Sequence, residues 1–271
     1  MTKESERGIG VVALLSDFGE RDGFVGAMKG AALAVNPALR FADISHDIAP
    51  RAILEGALVL ASVFDVFPAG TIFIAVVDPG VGGARRALAA RAAGRIVVAP
   101  DNGLIGPILA SRGPAEVRSV TEARFFRAPP HPTFHGRDVF APVAAHLSLG
   151  VPLDALGPAV TDAVALEAPR PRRAGDAIAG EILHIDRFGN LVTNLTEGDL
   201  LTFGGRLPVF EIGGRVIEGL SPNFADGSSP LRVVAGSWGY LEIALRDSDA
   251  ARELAVGVGA AVRATAGGVR A

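Results

Sequence analysis

An α/β domain with a largely parallel sheet, followed by a smaller all-β, barrel-like domain, is the architecture that this 271-residue sequence predicts. Three observations carry it. Short apolar runs alternate with helix-periodic segments over residues 10–160, the pattern of strands and helices stacked in layers. The segment 167–176, "EAPRPRRAGD", then interrupts with proline and arginine and no apolar periodicity, as an inter-domain linker does. Beyond it the chain reads as short strands punctuated by glycine. The expected boundaries are 9–166 for the first domain, 167–176 for the linker and 177–266 for the second domain.

Each element has a local reason. "GVVALL" (10–15) is a short β-branched run of the kind buried on both faces of a sheet. "FVGAMKGAALAV" follows with helical spacing and is stopped at Asn36-Pro37. "RFADI" is a second strand and "AILEGALVLASVF" a second helix, closed by Pro68-Ala69-Gly70. "TIFIAVV" is the strongest strand signal, and "ALAARAA" with "RIVVAP" reads as a hairpin turning at Ala93-Gly94. "LIGPILA" and "VFAPVAAHLSL" complete the helices. In the second domain the expected strands are "AGEILHI", "GNLVTNL", "RLPVFEI", "RVIEGL", "LRVVAG" and "GYLEIAL", with a Gly213-Gly214 turn; the tail "GGVRA" is expected to fray.

Composition removes several function classes. Cysteine is absent, which excludes disulfides, thiol catalysis and thiolate metal sites. A net charge of −3 argues against a general nucleic-acid binder. No apolar run approaches the roughly 20 residues that cross a bilayer. The opening "MTKESERGIG" is polar, with no apolar signal segment, so a soluble cytoplasmic protein is expected. The five histidines form no HxH or HExxH spacing, so a histidine-rich zinc site is not expected.

Ligands of open α/β sheets lie beyond the carboxyl ends of the strands, and three candidate segments fall there. Asp17 in "LLSDFGERDG" follows the first strand, with Asp22 near the next helix start; each can accept ribose hydroxyls or cap the helix. The "DFG" string matches kinases, but no glycine-rich loop or HRD accompanies it. The second segment is "VDPGVGGARRA", where a glycine-rich turn joins Asp78 to Arg85 and Arg86. Spacing alone slightly favours a solvated salt bridge there, worth about 0–1 kcal/mol. The third is "TFHGRDVFAP", with His135 between Phe134 and Gly136 at a helix start, where the macrodipole favours a neutral ring.

In the second domain, "HIDRFGNLVTN" places Asp186, Phe188 and Asn190 on one side of a strand, with Gly189 as a possible bulge. An acid, an aromatic face and an amide suit a ligand with a cationic amine and a flat base; a hairpin with a core phenylalanine is the bland alternative. "GSWGYLEIA" holds Ser237, Trp238 and Tyr240, the last read as barrel packing.

Together "SDFGERDGFVGAMKG", "DISHDIAP", "VVDPGVGGARR", "APDNGLIGP", "TFHGRDVFAP", "IDRFGNLVTN" and "GSWGYLEIA" resemble, in family order over residues 11–245, the S-adenosyl-L-methionine (SAM) hydroxide adenosyltransferases. That family also includes the SAM-dependent fluorinases and chlorinases. The resemblance implies a homotrimer, with SAM between the N-terminal domain of one subunit and the C-terminal domain of its neighbour. Carried over motif by motif, Asp78, Arg85 and His135 match the hydrolase branch's set around the attacking water, and Arg86 is left as a solvated neighbour. Asp17 matches the acid on the ribose hydroxyls. Asp186 and Ser237 match the methionine end with Asp22 nearby, Asn190 matches an adenine-side contact, and Phe134, Phe188 and Trp238 join the substrate-binding set.

Two departures set the branch. Fluorinases carry Tyr at the position of Asp78 and a halide-contacting Ser at that of Gly136. A carboxylate would repel a halide, whereas water needs a proton acceptor. Arg51, where fluorinases have Trp, leaves that part of the pocket unassigned. The expected reaction is hydrolysis of SAM to adenosine and L-methionine without metal or cofactor. The alternatives are a halide-dependent transferase and a SAM or adenosine sensor without turnover.

Overall fold

The computed structural model describes residues 10–267, apart from 114, 167, 227 and 228. The fraying expected of the tail concerns, from residue 268, positions outside this set, as does residue 9 of the first expected domain. The chain divides into two compact units that meet between residues 167 and 168.

In the first unit, strands β1 (Val11–Ser16), β2 (Arg40–Ser45), β3 (Ile72–Val76), β4 (Ala87–Ala92), β5 (Arg95–Pro100) and β6 (Glu116–Ser119) form one sheet in the order β2-β1-β3-β5-β4-β6. β1, β2, β3 and β5 run parallel, while β4 lies antiparallel to both its neighbours. Helices α1 (Phe24–Val35) and α4 (Ala141–Ser148) cover one face and α2 (Ile53–Val63) and α3 (Gly106–Ser111) the other. β3 is buried at every position, because a central strand covered on both faces has no solvent side to give to polar residues.

The helix stops are as the sequence predicts. Asn36 leaves the helix in an extended conformation, which suits a residue before proline. Its side chain accepts from the Ala38 amide and donates to Ser148 Oγ at 2.8 Å, tying the end of α1 to α4. The β4–β5 hairpin turns at Ala93 and Gly94 with φ of 44° and 75°, the paired positive values that two-residue hairpins require. β6 was not anticipated. Its sequence, "EVRS", is a short charged edge strand without an apolar alternation to reveal it.

The second unit contains β7 (Arg172–Ala174), β8 (Ala177–Ile185), β9 (Leu191–Thr193), β10 (Pro208–Ile212), β11 (Arg215–Glu218), β12 (Leu231–Ala235), β13 (Leu241–Leu245) and β14 (Ala261–Ala266). Two short helices, α5 (Glu197–Leu200) and α6 (Ala250–Leu254), interrupt them. The named strands pair antiparallel in the order β11-β10-β14-β8-β9-β13-β12, with β7 on β8. A bridge between Ser221 and Val234 brings the ends of this sheet together into a nearly closed barrel. Its interior holds Ile182, Leu191, Phe210, Val233, Leu241 and Ile243.

Part of the segment expected as linker is therefore strand: Arg172–Ala174 pairs with Ala177–Ala179. Fully exposed side chains there removed the hydrophobic signal, although the backbone pairs. β14, "AVRATA", was missed for a similar reason, since alanine is a weak strand former by composition.

Candidate active site

The carboxyl ends of β1, β2 and β3 carry the polar residues of the first unit. Asp78 lies two residues past β3, and a turn of small residues brings Arg85 back over it. Arg85 Nε donates to the two carboxylate oxygens of Asp78 at 3.0 and 3.1 Å, and its Nη2 donates to Oδ2 as well. The pair is buried, with the Asp78 side chain 4% and that of Arg85 11% exposed. This is not the solvated salt bridge that spacing alone favoured. The guanidinium also packs over the Phe140 ring at 5.3 Å.

His135 completes the group: Arg85 Nη2 lies 2.9 Å from its Nδ1. A guanidinium can only donate, so Nδ1 is the acceptor and the neutral ring carries its proton on Nε2. Burial, then the positive charge of Arg85, hold the His135 pKa below the ordinary imidazole value, against the opposite pull of Asp78 and Asp138. His135 sits at the start of a π-helical turn, Gly136–Phe140, that runs into α4. The loops bearing these residues are in direct contact: a β-carbon on Gly82, whose φ is 75°, would overlap the Pro132 carbonyl.

Behind His135, Asp138 is fully buried and takes Arg137 Nε and Nη2 at 2.7 Å, Arg127 Nη1 at 3.2 Å and the His131 amide at 2.8 Å. Burial alone would raise its pKa; those donors, Arg137 first, bring it down to about 2. Phe134 packs with Phe18 and Phe24 in a trio whose ring centroids lie 5.4, 5.7 and 5.9 Å apart. A serine side chain at position 136 would press on Met28 and this trio, because a β-carbon there lies 3.1 Å from Met28 Sδ and 3.3 Å from the Phe134 ring.

Asp17 follows β1 and accepts the Arg51 amide at 2.8 Å through Oδ2. Arg51 is held at φ 68°, so the position that left its pocket unassigned has a backbone role. Asp22 is exposed and does not cap α1: Gly23 occupies the cap, with no side-chain hydrogen bond. Sequence reading missed a chain beneath Asp17. Ser16 Oγ meets His46 Nδ1 at 2.7 Å, His46 Nε2 meets Asp43 Oδ1 at 3.1 Å, and Lys29 Nζ donates to Asp43 Oδ2 at 2.6 Å. Asp43 only accepts, so His46 carries its proton on Nε2 and receives the buried Ser16 hydroxyl on Nδ1. The His46 carbonyl also receives the Gly19 amide at 2.7 Å, which pins the loop that presents Asp17. "DISHDIAP" contained the signal, but pairing it with Ser16 needs the parallel register of β1 and β2.

Arg86 is not merely a solvated neighbour. It bridges buried Asp101 at 2.6 Å and Asp162 at 2.8 Å, fastening the loop after β5.

In the second unit, Asp186, Phe188 and Asn190 lie in the turn between β8 and β9 rather than along a strand. Asp186 Oδ1 accepts the amides of Phe188 and Asn190 at 2.8 and 2.9 Å, and Oδ2 accepts Asn190 Nδ2 at 2.8 Å. The sheet irregularity falls at Ile182–His184, not at Gly189. Phe188 is 77% exposed, so the core-phenylalanine reading fails. It borders a cavity of about 770 Å³ with Asn190, Phe224, Ala244, Leu245 and Arg246. Ser237 is exposed in the turn after β12, and Trp238 stacks on His184 at 5.2 Å. Among the described residues no cluster of His, Asp or Glu could hold a metal ion, and no helix is long and apolar enough to cross a membrane.

Residues 12–157 match the family model of the SAM hydroxide adenosyltransferase N-terminal domain, and residues 180–263 that of its C-terminal domain. The (R)-S-adenosyl-L-methionine hydrolase of Salinispora tropica is 38% identical over 259 residues, covering 94% of this chain and 98% of that protein. A fluorinase of Nocardia brasiliensis is 31% identical, covering 86% of this chain and 89% of its own. A crystal structure of a conserved Thermotoga maritima protein superposes with a TM-score of 0.88 at 32% identity, covering 94% of this chain and 99% of the other.

Proposed function

The chain belongs to the SAM hydroxide adenosyltransferase family, and we propose from that premise that it hydrolyses (R)-S-adenosyl-L-methionine to adenosine and L-methionine. The observation that carries this reading is the hydrogen-bonded Asp78–Arg85–His135 group, formed by the motifs in which the hydrolase branch differs from the halogenases.

The reaction is an in-line displacement at the ribose 5′-carbon. The water oxygen forms the new C–O bond, the C–S bond breaks, and its electron pair leaves on sulfur as the neutral thioether of methionine. One proton is released for each SAM consumed. Because the leaving group is neutral, no general acid is needed; the nucleophile sets the difficulty. Arg85 and the Nε2–H of His135 are both donors, so they orient the oxygen lone pairs and stabilise hydroxide character as it develops. Asp78 keeps Arg85 in place, and it is the negative group closest to hand to take up the proton. With Nδ1 occupied by Arg85, His135 acts as a donor rather than as the base. The reaction as written uses no metal or organic cofactor.

Asp17 holds the ribose hydroxyls, and Asp22 and Phe134 border that end of the substrate. The cavity beside Phe188 and Phe224 takes the adenine. Asn190 Nδ2 is held by Asp186, and its Oδ1 is left to accept the exocyclic amine. Asp186, Ser237 and Trp238 serve the amino-acid end. We further propose a cytoplasmic homotrimer in which one subunit's first unit and a neighbour's second unit share each SAM; light scattering of the purified protein tests the assembly.

Incubation with SAM, with and without chloride, followed by chromatography of the products, tests the activity. Equal amounts of adenosine and methionine, independent of chloride, are expected. 5′-Chloro-adenosine would identify a halogenase instead, and unchanged SAM a sensor.

A further inference from the structure

Glu242 is a buried acid to which neither the family motifs nor the mechanism above gives a task. It lies on β13, where alternation turns Leu241 and Ile243 into the barrel core and Glu242 to the opposite face. The residue is 8% exposed, yet among the described residues no hydrogen bond or ion pair reaches its carboxylate. Arg232, buried on the adjacent strand and the same face, offers no counter-charge: its guanidinium donates to the carbonyls of Asp226, Ser229 and Pro230. Covering most of an acid without giving its carboxylate a protein donor carries a cost, so the fold tolerates here a charge it does not itself satisfy.

Its surroundings specify what would satisfy it. Asp186 is the neighbouring charge; burial first, then this like charge, raise the Glu242 pKa. The turn that carries Ser237 is shaped around the carboxylate, because a β-carbon on Gly236 would overlap it. Gly236 itself is fixed in that turn by its amide bond to the Tyr240 carbonyl at 2.8 Å. Asp186 has three of its acceptor positions filled by Phe188 and Asn190. Asp186 is thus near enough for its charge to act on Glu242, and of the two acids one is satisfied by its own turn while the other is open. A cation placed between them supplies donors to Glu242 and removes the like-charge repulsion.

We propose that Glu242 is the principal anionic contact for the α-ammonium of the substrate's amino-acid end, with Ser237 and the remaining lone pair of Asp186 completing its three acceptors. An ammonium has three N–H bonds to direct, and these three groups match that number. Glu242 is then a binding and specificity residue: it distinguishes SAM from nucleosides that lack the amine and takes no part in the displacement. The inference rests on the SAM reading above and assigns the group that recognises one end of that substrate.

Titration calorimetry of the wild-type protein and Glu242→Gln with SAM, adenosine and a SAM analogue lacking the α-amino group tests this. The variant is expected to bind SAM about tenfold or more weakly, with unchanged affinity for adenosine and the deaminated analogue. Its melting temperature is expected to stay level or rise, because an unpaired buried charge has been removed. Equal SAM affinity in the two proteins, or a parallel loss for adenosine with a lowered melting temperature, overturns the proposal. Glu242→Asp, which keeps the charge and shortens its reach, should lose affinity for SAM alone. Product analysis on the wild type is a separate readout: SAM binding without adenosine formation ends the hydrolase reading and leaves the binding comparison decisive.

Discussion

Arg85 donates to Nδ1 of His135 across 2.9 Å while the same guanidinium holds both oxygens of Asp78. The arginine therefore lies between acid and imidazole, so the pair cannot relay a proton as a directly bonded acid–histidine dyad does. The arrangement makes His135 a donor with a suppressed basicity, and its consequences are measurable.

In the proposed mechanism the neutral form of His135 is the working form, and its pKa lies below the ordinary value of 6.5. Activity should hold level as pH falls toward that ordinary value and decline only below it. Unfolded chains bind the proton near 6.5 while the folded protein does not, so stability is also lost as pH falls from there toward the depressed folded pKa. A kcat/KM profile together with melting curves between pH 8 and about 5 tests both. Activity that rises on acidification would show that the imidazolium is required.

His135→Ala and Asp78→Ala should each lower kcat by at least about 10²-fold, the scale of a lost acid–base or donor group, with SAM binding largely retained. Single-turnover kinetics beside equilibrium binding separates the two quantities. Near-wild-type turnover in both variants removes them from the mechanism.

Arg85→Lys is not a conservative change. An ammonium cannot span two Asp78 oxygens and His135 Nδ1 together, so kcat should fall and the acid limb of the pH profile should move up toward the ordinary imidazole value. An unmoved limb would mean that burial and the positive charge at position 85, rather than the hydrogen bond to Nδ1, set the basicity of His135.

Asp17→Ala should weaken SAM and adenosine alike, and His46→Ala should do the same more mildly with kcat retained. The second effect would come through the Ser16–His46–Asp43 chain beneath the loop. Calorimetry with both ligands checks this. If His46→Ala altered kcat alone, His46 would not be positioning Asp17.

Asp138, with its pKa lowered to about 2 from 3.8, contributes stability that is present above pH 3.8 and lost as pH falls through that window. In Asp138→Asn that acid limb should flatten, and the protein should be less stable at neutral pH. Urea denaturation at several pH values measures both.

How much of this was legible in the sequence depends on the range of the signal. α1 begins and ends where its spacing and Asn36-Pro37 place it, because helices and their stops are written in consecutive residues. The hairpin at Ala93-Gly94 is local in the same way. Asp78 and Arg85 could be named, but only three-dimensional packing shows the arginine turned toward His135, fifty residues on. Ser16 and His46 meet because β1 and β2 run in parallel, a relationship no local pattern contains. The exposed β7 and the alanine-rich β14 carry no amphipathic alternation, so their pairing was invisible before their partners were in place.

The contact between Gly82 and the Pro132 carbonyl bears on how this active centre can change over generations. On the proposed mechanism, side chains such as those at 78 and 136 set the choice between hydrolase-like and halogenase-like chemistry, while the two loops keep their seating. Position 82 has no such freedom. In a mutational scan selected for turnover, Gly82 should be as intolerant as Asp78 although it bears no functional group. An inert residue would then mark the boundary within which new activities can be explored.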